Sequence, residues 1–180
     1  MRIGRRIVTA VAVIVSGLAI SGIALRIYMG REAEDRLALG EAISIAALRS
    51  PLPRPSFLAC PPAYCSADEA VPSPIFGVPQ DRLHALWTEV ISSEKRMVPV
   101  AAEPDSWRFV YIQHSPAFRF PDIITVEFLR LGPDRSSIAI YSRSRYGEVD
   151  FGKNRKRVER WLALLERVAR PATSRMGRVQ

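Results

Sequence analysis

Between Tyr141 and Arg157 the chain gathers Arg143, Arg145, Lys153, Arg155, Lys156 and Arg157 around Ser142, Ser144, Asp150 and Asn154, with Gly147 and Gly152 interspersed. Guanidinium groups pair bidentately with carboxylates and phosphates, and the free amides of a helix N-terminus attract the same anions. If a helix starts in this stretch, Arg143, Arg145 and Arg157 beside its first amides suit a phosphate or carboxylate ligand. The plainer reading is a helix cap on a tight loop. Asp150 or Asn154 would accept from the free amides, and the two glycines would supply backbone conformations closed to other residues. Covalent chemistry has less support. The sequence holds no His-Glu-x-x-His metal motif, no Gly-x-Ser-x-Gly elbow and no phosphate loop, and no spacing brings His114 to Cys60 or Ser142. Asp150-Phe151-Gly152 spells a kinase metal motif by chance, because the chain is too short for a kinase and lacks the Gly-rich and catalytic loops. Enzymatic activity is therefore not indicated, and no catalytic residue, resident metal or cofactor is implied.

Cys60 and Cys65 are the two cysteines of the chain and stand in a Pro-rich segment. A disulfide closing this small ring would contribute about 2 kcal/mol in the chain-entropy model and would imply an oxidising compartment. Two free thiols and half of a metal site are the alternatives. There is no second cysteine pair and His84 lies far from His114 in sequence, which disfavours structural zinc.

These groups need a scaffold, and the hydrophobic periods describe one. Leu83, Leu86, Trp87, Val90 and Ile91 recur at helical spacing after Asp81, with His84 beside them expected at the surface. Val158, Trp161, Leu162, Leu165 and Val168 form a second apolar stripe whose full burial would yield roughly 10 kcal/mol gross. Pro171 stops that helix. Between them, residues 106–114, 123–131 and 137–142 are rich in β-branched and aromatic residues, and residues 97–101 form a weaker strand because Pro99 lies inside it. Gly132, Pro133 and Asp134 mark a hairpin turn. In the middle strand Ile124, Val126 and Phe128 share one face, while Thr125 and Glu127 share the other. Helix, strands and helix without alternation predict an α+β domain: an antiparallel sheet of about four strands flanked by two amphipathic helices and covered on one face.

Residues 7–25 carry no charge and include ten strongly apolar side chains, worth roughly −4 kcal/mol for membrane insertion before the polar positions subtract. The run predicts an uncleaved, single-pass signal anchor forming an N-terminal transmembrane helix. The rival is a signal peptide cut after Ala19-Ile20-Ser21. The predicted organisation is an anchor over residues 1–30, a helical stalk and Pro-rich linker over 31–59, the α+β domain over 60–170, and a flexible basic tail over 171–180. Net charge is +8, yet residues 31–140 hold eleven basic against fourteen acidic residues. The basicity is thus local, suited to anionic lipid and not to nucleic acid.

Two stretches resemble a known family. The run from Phe118 to Phe128, followed by the block Ser142-x-Ser144-Arg145-x-Gly147-x-x-Asp150-x-Gly152-x-Asn154-Arg155, looks like the domain of unknown function 1499. Cys60-Pro61-Pro62-Ala63-Tyr64-Cys65 is similar to that family's opening motif, with Tyr64 where Asn is usual. The resemblance covers residues 60–168. It implies an exported or membrane-attached domain and no established activity. It matches Asp122, Glu127, Ser144, Arg145, Asp150, Asn154 and Arg157 residue by residue, and implies that acids on the sheet meet arginines near the start of the last helix. The expected function is that of a membrane-anchored envelope protein, attached through residues 7–25, with its soluble domain on the periplasmic or extracytoplasmic side. That domain is expected to act as a structural or protein-interaction module. The alternative is a binding module that takes an anionic small molecule or lipid headgroup on the Arg-rich loop.

Overall fold

Four successive runs form neighbouring strands of a sheet in the computed structural model, which describes residues 43–170 together with Gly17 and residues 20–22. Strands β4 (Met97–Glu103), β5 (Arg108–His114), β6 (Pro121–Gly132) and β7 (Arg135–Ser144) form an antiparallel meander. The turn at Pro133 and Asp134 joins β6 to β7, with Gly132 opposite Arg135. Helix α1 (Gln80–Ser92) and helix α2 (Lys153–Ala169) lie against one face. Leu83, Leu86, Trp87 and Val90 of α1 and Val158, Trp161, Leu162 and Leu165 of α2 are buried there on Tyr111, Ile124, Val126, Phe128, Ile138 and Ile140. At the centre Trp87 and Trp161 meet edge-on, with ring centroids 5.3 Å apart. Such pairs add specificity beyond the area they bury.

The expected four-stranded antiparallel sheet is corrected to a mixed sheet of seven strands. Strands β1 (Ser56–Cys60), β2 (Val71–Pro72) and β3 (Ile75–Phe76) complete it, in the order β2-β1-β7-β6-β5-β4 with β3 also on β7. β1 runs antiparallel to β7 and parallel to β2. The prolines of this region suggest irregular chain, but β2 and β3 are two residues each and need few backbone donors. β1 has neighbours on both sides and burial on both faces, so its sequence is a short apolar run with no alternation to read. β4 tolerates Pro99 because it is an edge strand, and its register shifts between Pro99 and Ala101.

The second face is covered as well, contrary to the one-sided expectation. Ile45, in a 3-10 turn at Ile45–Ala47, packs with Leu52, Leu58, Cys60, Ala67, Ala139 and Tyr141. The folded unit therefore begins before residue 60 and takes in chain read as stalk and linker. His84 is half-buried, not on the surface, and stacks on Phe109 with centroids 4.4 Å apart. Most of the predicted transmembrane segment and the whole of the tail at 171–180 lie outside the described residues. Among the described residues no helix is long and apolar enough to cross a membrane.

Candidate functional site

β6 and β7 pair with Asp122 opposite Ser144 and Ile124 opposite Ser142, which puts these polar groups on the helix face at the end of the sheet where α2 begins. Arg157 lies one turn into α2 and reaches back to them. Its Nη2 is ion-paired with Asp122 Oδ2, and its Nη1 donates to Ser142 Oγ and to Asn154 Oδ1, each at 2.9 Å. Ser142 Oγ donates to Asn154 Oδ1 at 2.7 Å. Asn154 is fully buried, and its Nδ2 donates to Asp150 Oδ2 at 2.8 Å and to Ser144 Oγ at 3.1 Å. These contacts join the loop, both central strands and the helix into one network.

Asp150 caps α2. Its carboxylate accepts from the backbone N–H of Gly152 and of Asn154, each at 2.9 Å. Burial pushes the Asp150 carboxyl up, but these amides and the Asn154 side chain outweigh it and hold it below its ordinary value. Gly152 takes the left-handed conformation at φ 72°, which suits glycine. Phe151 takes it too, at φ 54°, where a side chain costs roughly 1–2 kcal/mol.

Not all of the implied residues gather here. Glu127 does not meet the arginines of the helix start, which corrects that expectation. Asp122 and Glu127 are five residues apart on one strand and therefore face opposite ways. Glu127 is buried on the second face, where Arg108 Nε donates to its Oε1 at 2.6 Å, Ile45 N–H at 3.1 Å, and Tyr64 Oη to its Oε2 at 2.7 Å. Burial, then the Glu127 carboxylate, push the Tyr64 hydroxyl far above its ordinary value. Arg143 neighbours Ser142 on β7 and so projects to the opposite face, while Arg145 follows the strand, its backbone N–H on Pro121 O at 3.1 Å. A disulfide joins Cys60 to Cys65, with Cα atoms 6.2 Å apart, and its ring presents Tyr64 to Glu127.

Sequence reasoning missed Tyr64 and Arg108, whose link to Glu127 spans long separations. It also missed Glu94, which follows α1 and accepts from Arg160 Nη1 at 2.5 Å and Trp161 Nε1 at 2.9 Å. No local pattern announces either cluster. Among the described residues no group of three or more His, Cys, Asp and Glu side chains is placed to hold a metal.

Two clefts flank the network. One, of about 320 Å³, is lined by Arg96, Phe120, Asp122, Tyr146, Lys153 and Arg157. The other, of about 430 Å³, lies beside Arg54, Phe57, Val149, Phe151 and Arg155. Residues 54–165 match the family described as Protein of unknown function (DUF1499). The chain belongs to the DUF1499 family. The DUF1499 match runs through all seven strands and most of α2, so the disulfide ring, the Asp122–Arg157 network and the side chains of the Glu127 cluster fall within it, while Ile45 lies before it. Comparison with curated proteins gives no match.

Proposed function

We propose that this DUF1499 chain is an interaction module of the cell envelope, attached to the membrane through residues 7–25, in which the Asp122–Arg157 network is a structural clamp and not a ligand site. One observation carries the reading. The Arg157 guanidinium is occupied by Asp122, Ser142 and Asn154, all supplied by the fold itself. An incoming anion would have to displace the Asp122 carboxylate and approach that of Asp150, so the site repels what a lone arginine would attract. The same bonds leave little for catalysis, since Ser142 Oγ donates to an amide oxygen and accepts from a cation, with no base beside it. The Cys60–Cys65 disulfide supports an oxidising, extracytoplasmic location.

The test is thermal unfolding of the wild type and of Arg157→Ala with and without inorganic phosphate. A clamp lowers the variant's Tm in both buffers and leaves the wild type insensitive to phosphate. Phosphate stabilisation that disappears with Arg157 would instead establish an anion site. Envelope location is tested by alkylating Cys60 and Cys65 in intact host cells. Ready labelling without reductant would refute export, and retention in the pellet after alkaline extraction supports attachment.

A further inference from the structure

Beyond the clamp, two loops at the same end of the sheet expose apolar side chains that the core does not use. Phe118, Phe120 and Phe151 are 67%, 39% and 81% exposed, and they are the only large aromatic rings so exposed among the described residues. Phe118 stacks on Phe120 at 5.6 Å, and Phe120 leans on Tyr146 at 6.1 Å. Val149, 67% exposed, borders both clefts and links this group to Phe151. Arg119 and Phe151 both sit at positive φ, so the tips hold their shape against backbone preference.

The charges around these rings are mostly basic. Arg96, Lys153, Arg155 and Lys156 are exposed around them, against the exposed Glu148 and Glu159, the second 3.6 Å from Arg155. Asp122 and Asp150 are engaged within the clamp. Moreover, the first turn of α2 holds no acid and three bases, although the helix dipole favours acids there. A chain shaped for stability alone would place the opposite charge at Lys153. Protruding rings within a basic collar suit a surface that is anionic outside and apolar just beneath.

We propose that the loop tips at residues 115–120 and 145–152 dock this domain onto an anionic phospholipid bilayer, with Phe118, Phe120, Val149 and Phe151 entering the interface and Lys153, Arg155 and Lys156 contacting phosphates. This rests on the interaction-module reading and names its partner. Each basic side chain near such a surface contributes about 1 kcal/mol, so reversing Lys153 removes one favourable charge and adds an unfavourable one, lowering the docked-to-free ratio roughly 30-fold.

The experiment uses the full chain carrying Phe151→Trp, with vesicles of brominated phosphatidylcholine alone or mixed equally with brominated phosphatidylglycerol. The indole reports the loop itself, whatever else holds the chain to the vesicle; Trp87 and Trp161 are buried, and quenching of the half-buried Trp107 is measured in the Phe151 parent and subtracted. Expected is bromine quenching of the new indole in the anionic vesicles alone, lost on adding Lys153→Glu while Tm holds or rises. A merely structural role for Lys153 would not separate docking from stability in this way. Absent quenching, equal quenching in both lipids, or quenching indifferent to Lys153→Glu overturns the proposal. So does a photocrosslinker at residue 118 that forms protein adducts and no lipid adducts in native membranes. Either failure leaves the clamp to be judged separately by the Arg157→Ala melts.

Discussion

Replacing Arg157 by Met keeps the length of the side chain and removes its charge and its bonds to Asp122, Ser142 and Asn154. The two ionised side chains are only 11% and 15% exposed, so the substitution strands a shielded carboxylate near that of Asp150. Breaking a buried pair costs about 3–5 kcal/mol, and the residual exposure places this one near the lower end, at about 3 kcal/mol. At roughly 3 °C of Tm per kcal/mol for a domain of this size, the melt should fall by about 10 °C. The partner substitution Asp122→Leu should cost a similar amount by leaving a shielded cation. The double variant should regain much of the loss, because no ion is then stranded and Ser142 still bonds Asn154. Urea denaturation of the four proteins completes a double-mutant cycle, with a coupling energy of about 2 kcal/mol expected. Additive losses, or single variants within about 0.5 kcal/mol of the parent, would refute the reasoning.

Reduction of the Cys60–Cys65 bond, or its replacement by two alanines, should cost about 2 kcal/mol and loosen Tyr64 from Glu127, seen as a lower urea midpoint and faster exchange of the Ile45 amide. Glu94 sets part of the acid limit. Burial pushes its carboxyl up, yet hydrogen bonds from Arg160 and Trp161 prevail and hold it below the ordinary value. Its contribution to stability is then complete above the unfolded value of about 4.3 and is lost as pH falls through the lower folded value, so Glu94→Gln should flatten that limb of a stability–pH curve. Trp161→Ala removes a fully buried ring packed on Trp87 and should cost about 3–5 kcal/mol by denaturant titration.

The helices were the readable part of this molecule. Each has one apolar stripe against one sheet face, so the period of burial is written in consecutive residues, and Leu83, Trp87, Val158 and Trp161 fall where the spacing puts them. Asp150 and Gly152 were readable for a similar reason, because a cap bonds within a few residues of itself. At the far end of the stripe Val168 is 40% exposed, against the burial its spacing predicts. β1 was not readable. Four of its five residues are buried, on both faces, and their strand character depends on β7, about eighty residues away, and on β2.

The destinations of the acids divide along the same line. Alternation along β6 turns Asp122 and Glu127 to opposite faces, since every second residue of a strand must turn the same way, but with the strand expected to begin at Ile123 both acids were expected beside the arginines of the last helix. That Arg157 closes on Asp122, and Arg108 and Tyr64 on Glu127, depended on strand register, on the seat of α2 and on a disulfide ring folded over the second face. Composition and local periodicity were sufficient for two amphipathic helices, a hairpin and a helix cap, because each is held by neighbours in the chain. Which charges meet, and which rings are left facing outward, was settled only when distant segments packed, because ionic and aromatic contacts act over a few ångströms in space and take no account of separation along the backbone.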